Sequence, residues 1–191
     1  PSRLQTIIRN TSGTSLFEND QATVVTRSMD SATTINNAFT LVAATAVPAV
    51  PTFTNPITGT TETNTLATQL QTVAKMIAVS STLGLRRQVF FVSLGGFDNH
   101  DFQNSQQPNL LAKLGQGLSY FDNALAAMGG GMQSAVTTFT ASDFSRTFTT
   151  NGDGTDHAWG SHHFVMGGAV RSEEHTSELP VTLESRMPSS A

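Results

Sequence analysis

Arg87-Gln88-Val89-Phe90-Phe91-Val92-Ser93-Leu94-Gly95-Gly96-Phe97-Asp98-Asn99-His100 is the stretch on which the fold class turns. Val89 to Val92 form a short apolar run of β-branched and aromatic residues, the pattern of a strand buried on both faces. Gly95-Gly96 ends the run and lets the backbone turn sharply, leaving room for a bound ion or anion. Asp98 and His100 follow at once. An aspartate and a histidine at the carboxyl end of a buried strand stand where ligands bind in open α/β sheets.

Upstream, Leu66, Leu70, Val73, Ala74, Ile77 and Leu83 recur at helical spacing, with Gly84 as the predicted C-cap. Pro108 suits a helix's first turn, and Leu110, Leu111, Leu114, Leu118, Phe121, Leu125 and Met128 supply its apolar face until Gly129-Gly130-Gly131 stops it. A further helix is predicted from a cap at Asp20 through Ala22, Val25, Met29, Ala32, Ile35, Phe39 and Val42. Residues 47–64, rich in Pro and Thr, read as an irregular loop. Ser134 to Thr140 and His162 to Met166 complete the predicted strands. Helices alternating with strands predict a layered α/β/α sandwich on a mostly parallel sheet.

The chemistry gathers in a second glycine-rich stretch, Asn151-Gly152-Asp153-Gly154-Thr155-Asp156-His157-Ala158-Trp159. Asp and His are the oxygen and nitrogen ligands of divalent transition metals. Two Asp/His pairs, each read as lying in a loop after a strand, predict one shared site held by Asp98, His100, Asp156 and His157. His162 and His163 point to opposite strand faces, so at most one joins; His162 is the candidate. A calcium loop is another reading of the aspartates around Gly152, without the bidentate Glu of an EF-hand. Asp98 as a simple loop cap beside an exposed His100 is the plain alternative. Arg146 is the candidate clamp for an anionic group, weighed against a structural ion pair with Asp143.

The 191 residues fit one domain or part of a larger one. Ten basic against fourteen acidic residues give a net charge of -4, too mild to suggest nucleic acid or an anionic membrane as partner. Charged residues make up 13%, about half the usual share, and Thr, Ser, Asn and Gln fill the difference. Without cysteine there is no disulfide framework, thiolate ligand or cysteine nucleophile. No apolar run reaches the ~18 residues of a membrane span. G-x-S-x-G, Walker and Rossmann signatures are absent, against serine hydrolase, nucleotide-binding and dehydrogenase chemistry.

Residues 87–100, Phe139-Thr-Ala-Ser-Asp-Phe-Ser-Arg-Thr147 and Asn151 through Val170 closely resemble the bacterial domain of unknown function 1501 family. That family is similar to the alkaline phosphatase and sulfatase superfamily, and its members are commonly exported, often by the twin-arginine route. The resemblance implies that Asp98 and His100 match one Asp/His metal pair and that Asp156 with His157 matches another, with Zn, Mn or Ca as the ion. Asn99, Ser145 and Ser161 depart from the usual Thr, Gly and Gly. No segment before Leu66 resembles the superfamily's nucleophile region, so residues 1–170 are expected to be the C-terminal part of one such domain. From Arg171 to Ala191 the sequence resembles a translated sequencing adapter and is set aside as a non-native tail.

Two functions are therefore expected. One is an exported, metal-dependent hydrolase of phosphate or sulfate esters, acting on an anionic ester. The other is a non-catalytic exported surface or assembly protein that keeps the fold, with binding of an acidic glycan as a third option.

Overall fold

The structure, a computed structural model, describes residues 15–42 and 46–170 together with Thr6 and Arg9. The predicted tail from Arg171 lies outside the described residues.

Helix α1 spans Leu16–Phe39. It starts earlier than Asp20: the Ser15 side chain caps it by accepting from the Glu18 amide. Only Ala22 and Ala38 are buried along its length. Thr23, Thr33 and Thr34 turn their hydroxyls back onto the carbonyls of Asn19, Met29 and Asp30, a bond that side chains of this type make on exposed helices.

Residues 47–64 are irregular as expected, apart from a small hairpin of β1 (Phe53–Thr54) and β2 (Thr61–Glu62). Asn55 shapes its turn, its Oδ1 accepting from the amides of Ile57 and Thr58. Glu62 then reaches across to Lys113 at 2.6 Å.

Helix α2 spans Thr65–Ala78 and buries Leu66, Leu70, Val73, Ala74 and Ile77 of the predicted stripe, with Ala67 added, while Leu83 falls beyond the helix. Asn64 caps it through Oδ1 to the Ala67 amide, while its Nδ2 donates across to Lys113 O and Gln116 Oε1. The helix stops at Ala78 rather than at Gly84; Gly84, at φ +69°, closes a separate turn after it.

Helix α3 spans Gln103–Met128, so Pro108 lies inside it rather than at its first turn. The start is set from outside the helix: Phe102 takes a left-handed conformation, φ 54°, and its amide donates to Asp153 Oδ2. Tyr120, Phe121, Ala124 and Leu125 of α3 bury against the α2 stripe. Gly117 is the point of closest approach, where an added Cβ would stand 3.0 Å from Leu66 Cδ2. These two helices make the core.

Residues 87–94 are extended but form no strand, contrary to expectation. Val92 and Leu94 pack on the helical core, whereas Val89 and Phe91 are 99% and 92% exposed. Ser93 exchanges two hydrogen bonds with the Gln69 side chain in place of a neighbouring strand. A run buried on both faces needs ladder partners and covering layers, and the described residues place none beside it.

After the short helix α4 (Met132–Ala135), β3 (Thr138–Phe139) pairs with β6 (Val165–Met166), and β4 (Ser145–Thr150) pairs with β5 (Thr155–Ala158). All three ladders are two-stranded and antiparallel. The chain is thus mixed α/β, but the described residues build no layered sandwich on a parallel sheet. β4 and β5 are joined by residues 151–154 alone, and so short a link can only connect antiparallel strands. Among the described residues no helix is long and apolar enough to cross a membrane.

Candidate metal centre

Two backbone segments meet to make the site. Residues 98–101 arrive from the extended segment through Gly96, at φ +97°, and the turn of the β4–β5 hairpin closes over them. The contact centres on Gly154, where a Cβ would fall 2.0 Å from the His100 carbonyl oxygen. Only glycine permits that approach. Asn151 Nδ2 donates to His100 O at 3.1 Å, the Gln103 amide donates to Asp153 O at 3.3 Å, and Thr155 Oγ1 donates to Gln103 Oε1 at 2.7 Å. The turn, the loop and the first turn of α3 are thereby one hydrogen-bonded unit.

Asp98, His100 and His157 form the ligand-type cluster, with one donor atom from each within 4.8 Å of the others. Asp98 Oδ1 stands 2.8 Å from His157 Nε2 and 3.3 Å from His100 Nε2. Ligand atoms around a tetrahedral zinc ion are roughly 3.3–3.5 Å apart for bonds of ~2.0–2.1 Å. The Asp98–His100 edge already has that length, the Asp98–His157 edge opens by about half an ångström, and the His100–His157 edge lies within 4.8 Å, so the three side chains could close on a divalent ion. All three side chains are exposed, which leaves further coordination positions open, as in catalytic rather than closed structural sites.

Asp156 takes a different place from the one expected. Its Oδ1 faces His100 Nδ1 at 3.2 Å, on the ring nitrogen opposite the one that faces Asp98, and also accepts from Asn151 Nδ2 at 3.1 Å. A carboxylate on the far nitrogen of a ligating histidine fixes its tautomer and orients the ring. The hydrogen bond with His100, and then that from Asn151, lower the Asp156 carboxyl below its ordinary 3.8. His157 is braced by stacking: the Phe144 ring lies 3.9 Å away at 12°, and the two imidazole centroids are 4.6 Å apart.

Arg146, paired opposite His157 in the β4–β5 ladder, spends its guanidinium on the protein. Nη1 donates to Thr155 O at 2.7 Å, and Nη2 donates to Phe97 O and to Asn99 Oδ1. It ties the two halves of the site together. The alternative ion pair with Asp143 does not form among the described residues: Arg146 is engaged elsewhere, and Asp143 is exposed. His162 is not in the cluster. It precedes β6, which pairs with β3 in another ladder, so the chain has already left the hairpin that carries His157. His163 faces Thr140 Oγ1 at 3.4 Å.

Asn151 and Phe144 were missed by sequence reasoning. For Asn151 a signal existed, since Asn-Gly and Asp-Gly between alternating residues mark a hairpin turn. Phe144 carries no comparable mark.

The model of the family described as "Protein of unknown function (DUF1501)" matches residues 8–180. The chain belongs to the DUF1501 family. No curated protein and no solved structure matches it. In this DUF1501 chain the match runs through both segments that build the cluster, so its residues stand within the family's own domain.

Proposed function

We propose that this DUF1501 protein binds one divalent transition metal through Asp98, His100 and His157, and uses it to hydrolyse anionic phosphate or sulfate esters. The observation that carries the proposal is the convergence of three ligand atoms from segments 57 to 59 positions apart on an exposed, hydrogen-bonded frame. An N₂O donor set suits Zn²⁺ or Mn²⁺ better than Ca²⁺, which prefers more oxygen ligands. When bound, such an ion supplies Lewis-acid polarisation of an ester oxygen and lowers the pKa of bound water. The chain's own part is to hold the ligands: Asp156 and Asn151 set the His100 ring, and Phe144 sets the His157 ring. The likeness of these motifs to the alkaline phosphatase and sulfatase superfamily supports the ester class, and the family's usual export supports a periplasmic or extracellular setting.

A second reading has one observation in its favour. Arg146 is committed to carbonyl oxygens, so it is not free to grip an anion, as a metal-binding surface or assembly protein without catalysis would allow.

The test is calorimetric Zn²⁺ titration of the full chain, followed by assay on aryl phosphate and aryl sulfate esters. We expect one site, its affinity lowered ~10–100-fold in Asp156→Ala and more in His157→Ala. Binding without ester cleavage selects the second reading. An unchanged affinity in His157→Ala rejects the metal centre itself.

A further inference from the structure

A groove of about 670 Å³ opens between α1 and the turn that follows α2. Its volume is that of a small-ligand site, and none of its lining residues belongs to the Asp/His cluster. The α1 side of the lining includes Thr23, Thr26, Arg27, Asp30 and Thr34. These recur three and four residues apart, so they share one helix face. A helix that packs on a core turns an apolar stripe inward. Helix α1 instead lines the groove with hydroxyls and charges, and buries only Ala22 and Ala38 along its length. Met76 of α2, with Leu83 and Leu85 of the following turn, supplies apolar lining. Hydroxyls and charge on one element facing aliphatic surface on another suit a ligand that is itself half polar and half apolar.

The charges in the groove do not cancel. Asp30 is taken by Arg9, whose Nη2 stands 2.6 Å from its Oδ1. That leaves Arg27 exposed, with no acidic partner among the described residues. Two arginines against one aspartate give the described lining one net positive charge. Thr23 and Thr34 turn their hydroxyls back onto helix carbonyls, but that of Thr26 is buried with no partner among the described residues. A buried hydroxyl without a hydrogen bond costs free energy that an acceptor recovers.

We infer that this groove binds a small amphiphilic monoanion, a carboxylate on a short aliphatic body. The carboxylate meets Arg27, whose planar guanidinium matches it in shape and charge, and the body lies along Met76 and Leu83. The inference makes no use of the metal reading and stands or falls apart from it.

The test is a heteronuclear NMR titration of the nitrogen-labelled full chain with three probes: octanoate, butanoate and the cation octyltrimethylammonium. We expect octanoate to shift the amides of residues 23–35 and 83–85 and to saturate. Butanoate should bind about ten-fold more weakly, since it has fewer methylenes to remove from water. Octyltrimethylammonium should leave these amides unmoved. Arg27→Gln, a change on the exposed surface, should weaken octanoate at least about five-fold while amides outside the groove keep their parent positions. Shifts scattered over the surface without saturation, equal binding of the cationic amphiphile, or an octanoate affinity unaltered by Arg27→Gln each overturn the site. So does the absence of any shift with octanoate.

Discussion

Gly154 shows how one residue can decide whether a site exists. Its missing side chain lets the hairpin turn rest on the His100 carbonyl, and that contact sets where His157 and Asp156 stand. A methyl group 2.0 Å from an oxygen atom has no room, and the neighbour is backbone, which cannot swing aside as a side chain would. Gly154→Ala should therefore push the turn away from residues 98–101 and abolish Zn²⁺ binding in calorimetry, with little loss of helical circular dichroism. Gly152→Ala is the control, since no atom lies within 4 Å of its added Cβ; its cost is confined to the strained φ of +133°. Asn99 shows the same dependence on context. Buried between Asp98 and His100, it accepts from Arg146 Nη2 through its Oδ1, and its Nδ2 has no partner among the described residues.

Among the elements, α2 and α3 were legible, and the predicted strands at Ser134–Thr140 and His162–Met166 hold β3 and β6. The strand at 87–94 did not form, and the β4–β5 hairpin was not foreseen. The six buried residues of α2 repeat at three- and four-residue steps, so one face had to be apolar whatever lay against it. Strand identity depends on the neighbour across the ladder, and no local pattern names that neighbour. Residues 87–94 carry the composition of a buried strand and yet are bare on one side, while Thr155–Ala158, read as a loop, pairs with Ser145–Thr150. Element ties also set the acid response. The Lys113 ammonium, with help from Asn55, holds the Glu62 carboxyl at about 2, from an ordinary 4.5. A depressed carboxyl contributes stability that is present above 4.5 and is lost as pH falls toward 2. Glu62→Gln should thus flatten the fall in urea midpoint between pH 4.5 and 2 and lower the midpoint at pH 7. A parallel curve for the variant and the parent would show that the β2–α3 tie is not what the acid limb reports.

At the scale of the whole molecule, the helical core and the Asp/His cluster are separate pieces of physics joined by the first turn of α3. The core is the α2–α3 seam, where Leu125 is 1% exposed. Leu125→Ala should cost ~2–5 kcal/mol, the range for a buried leucine that leaves a cavity. Urea unfolding with an unchanged m-value measures it. The cluster sits on exposed hairpin and loop, so Zn²⁺ affinity of the folded variant should stay near that of the parent. A large loss of affinity would mean that core and site are coupled through Gln103 and Phe102 more strongly than their hydrogen bonds suggest. What the sequence determined alone was the chemistry available, meaning which residues can ligate a metal, and the two apolar helix faces, because both follow from residue type and local spacing. The tertiary structure alone decided which of those residues meet. It joined Asp98 and His100 to His157, set Asp156 behind His100 and left His162 apart, because proximity across more than fifty residues comes from turn closure and strand pairing, which no local repeat encodes.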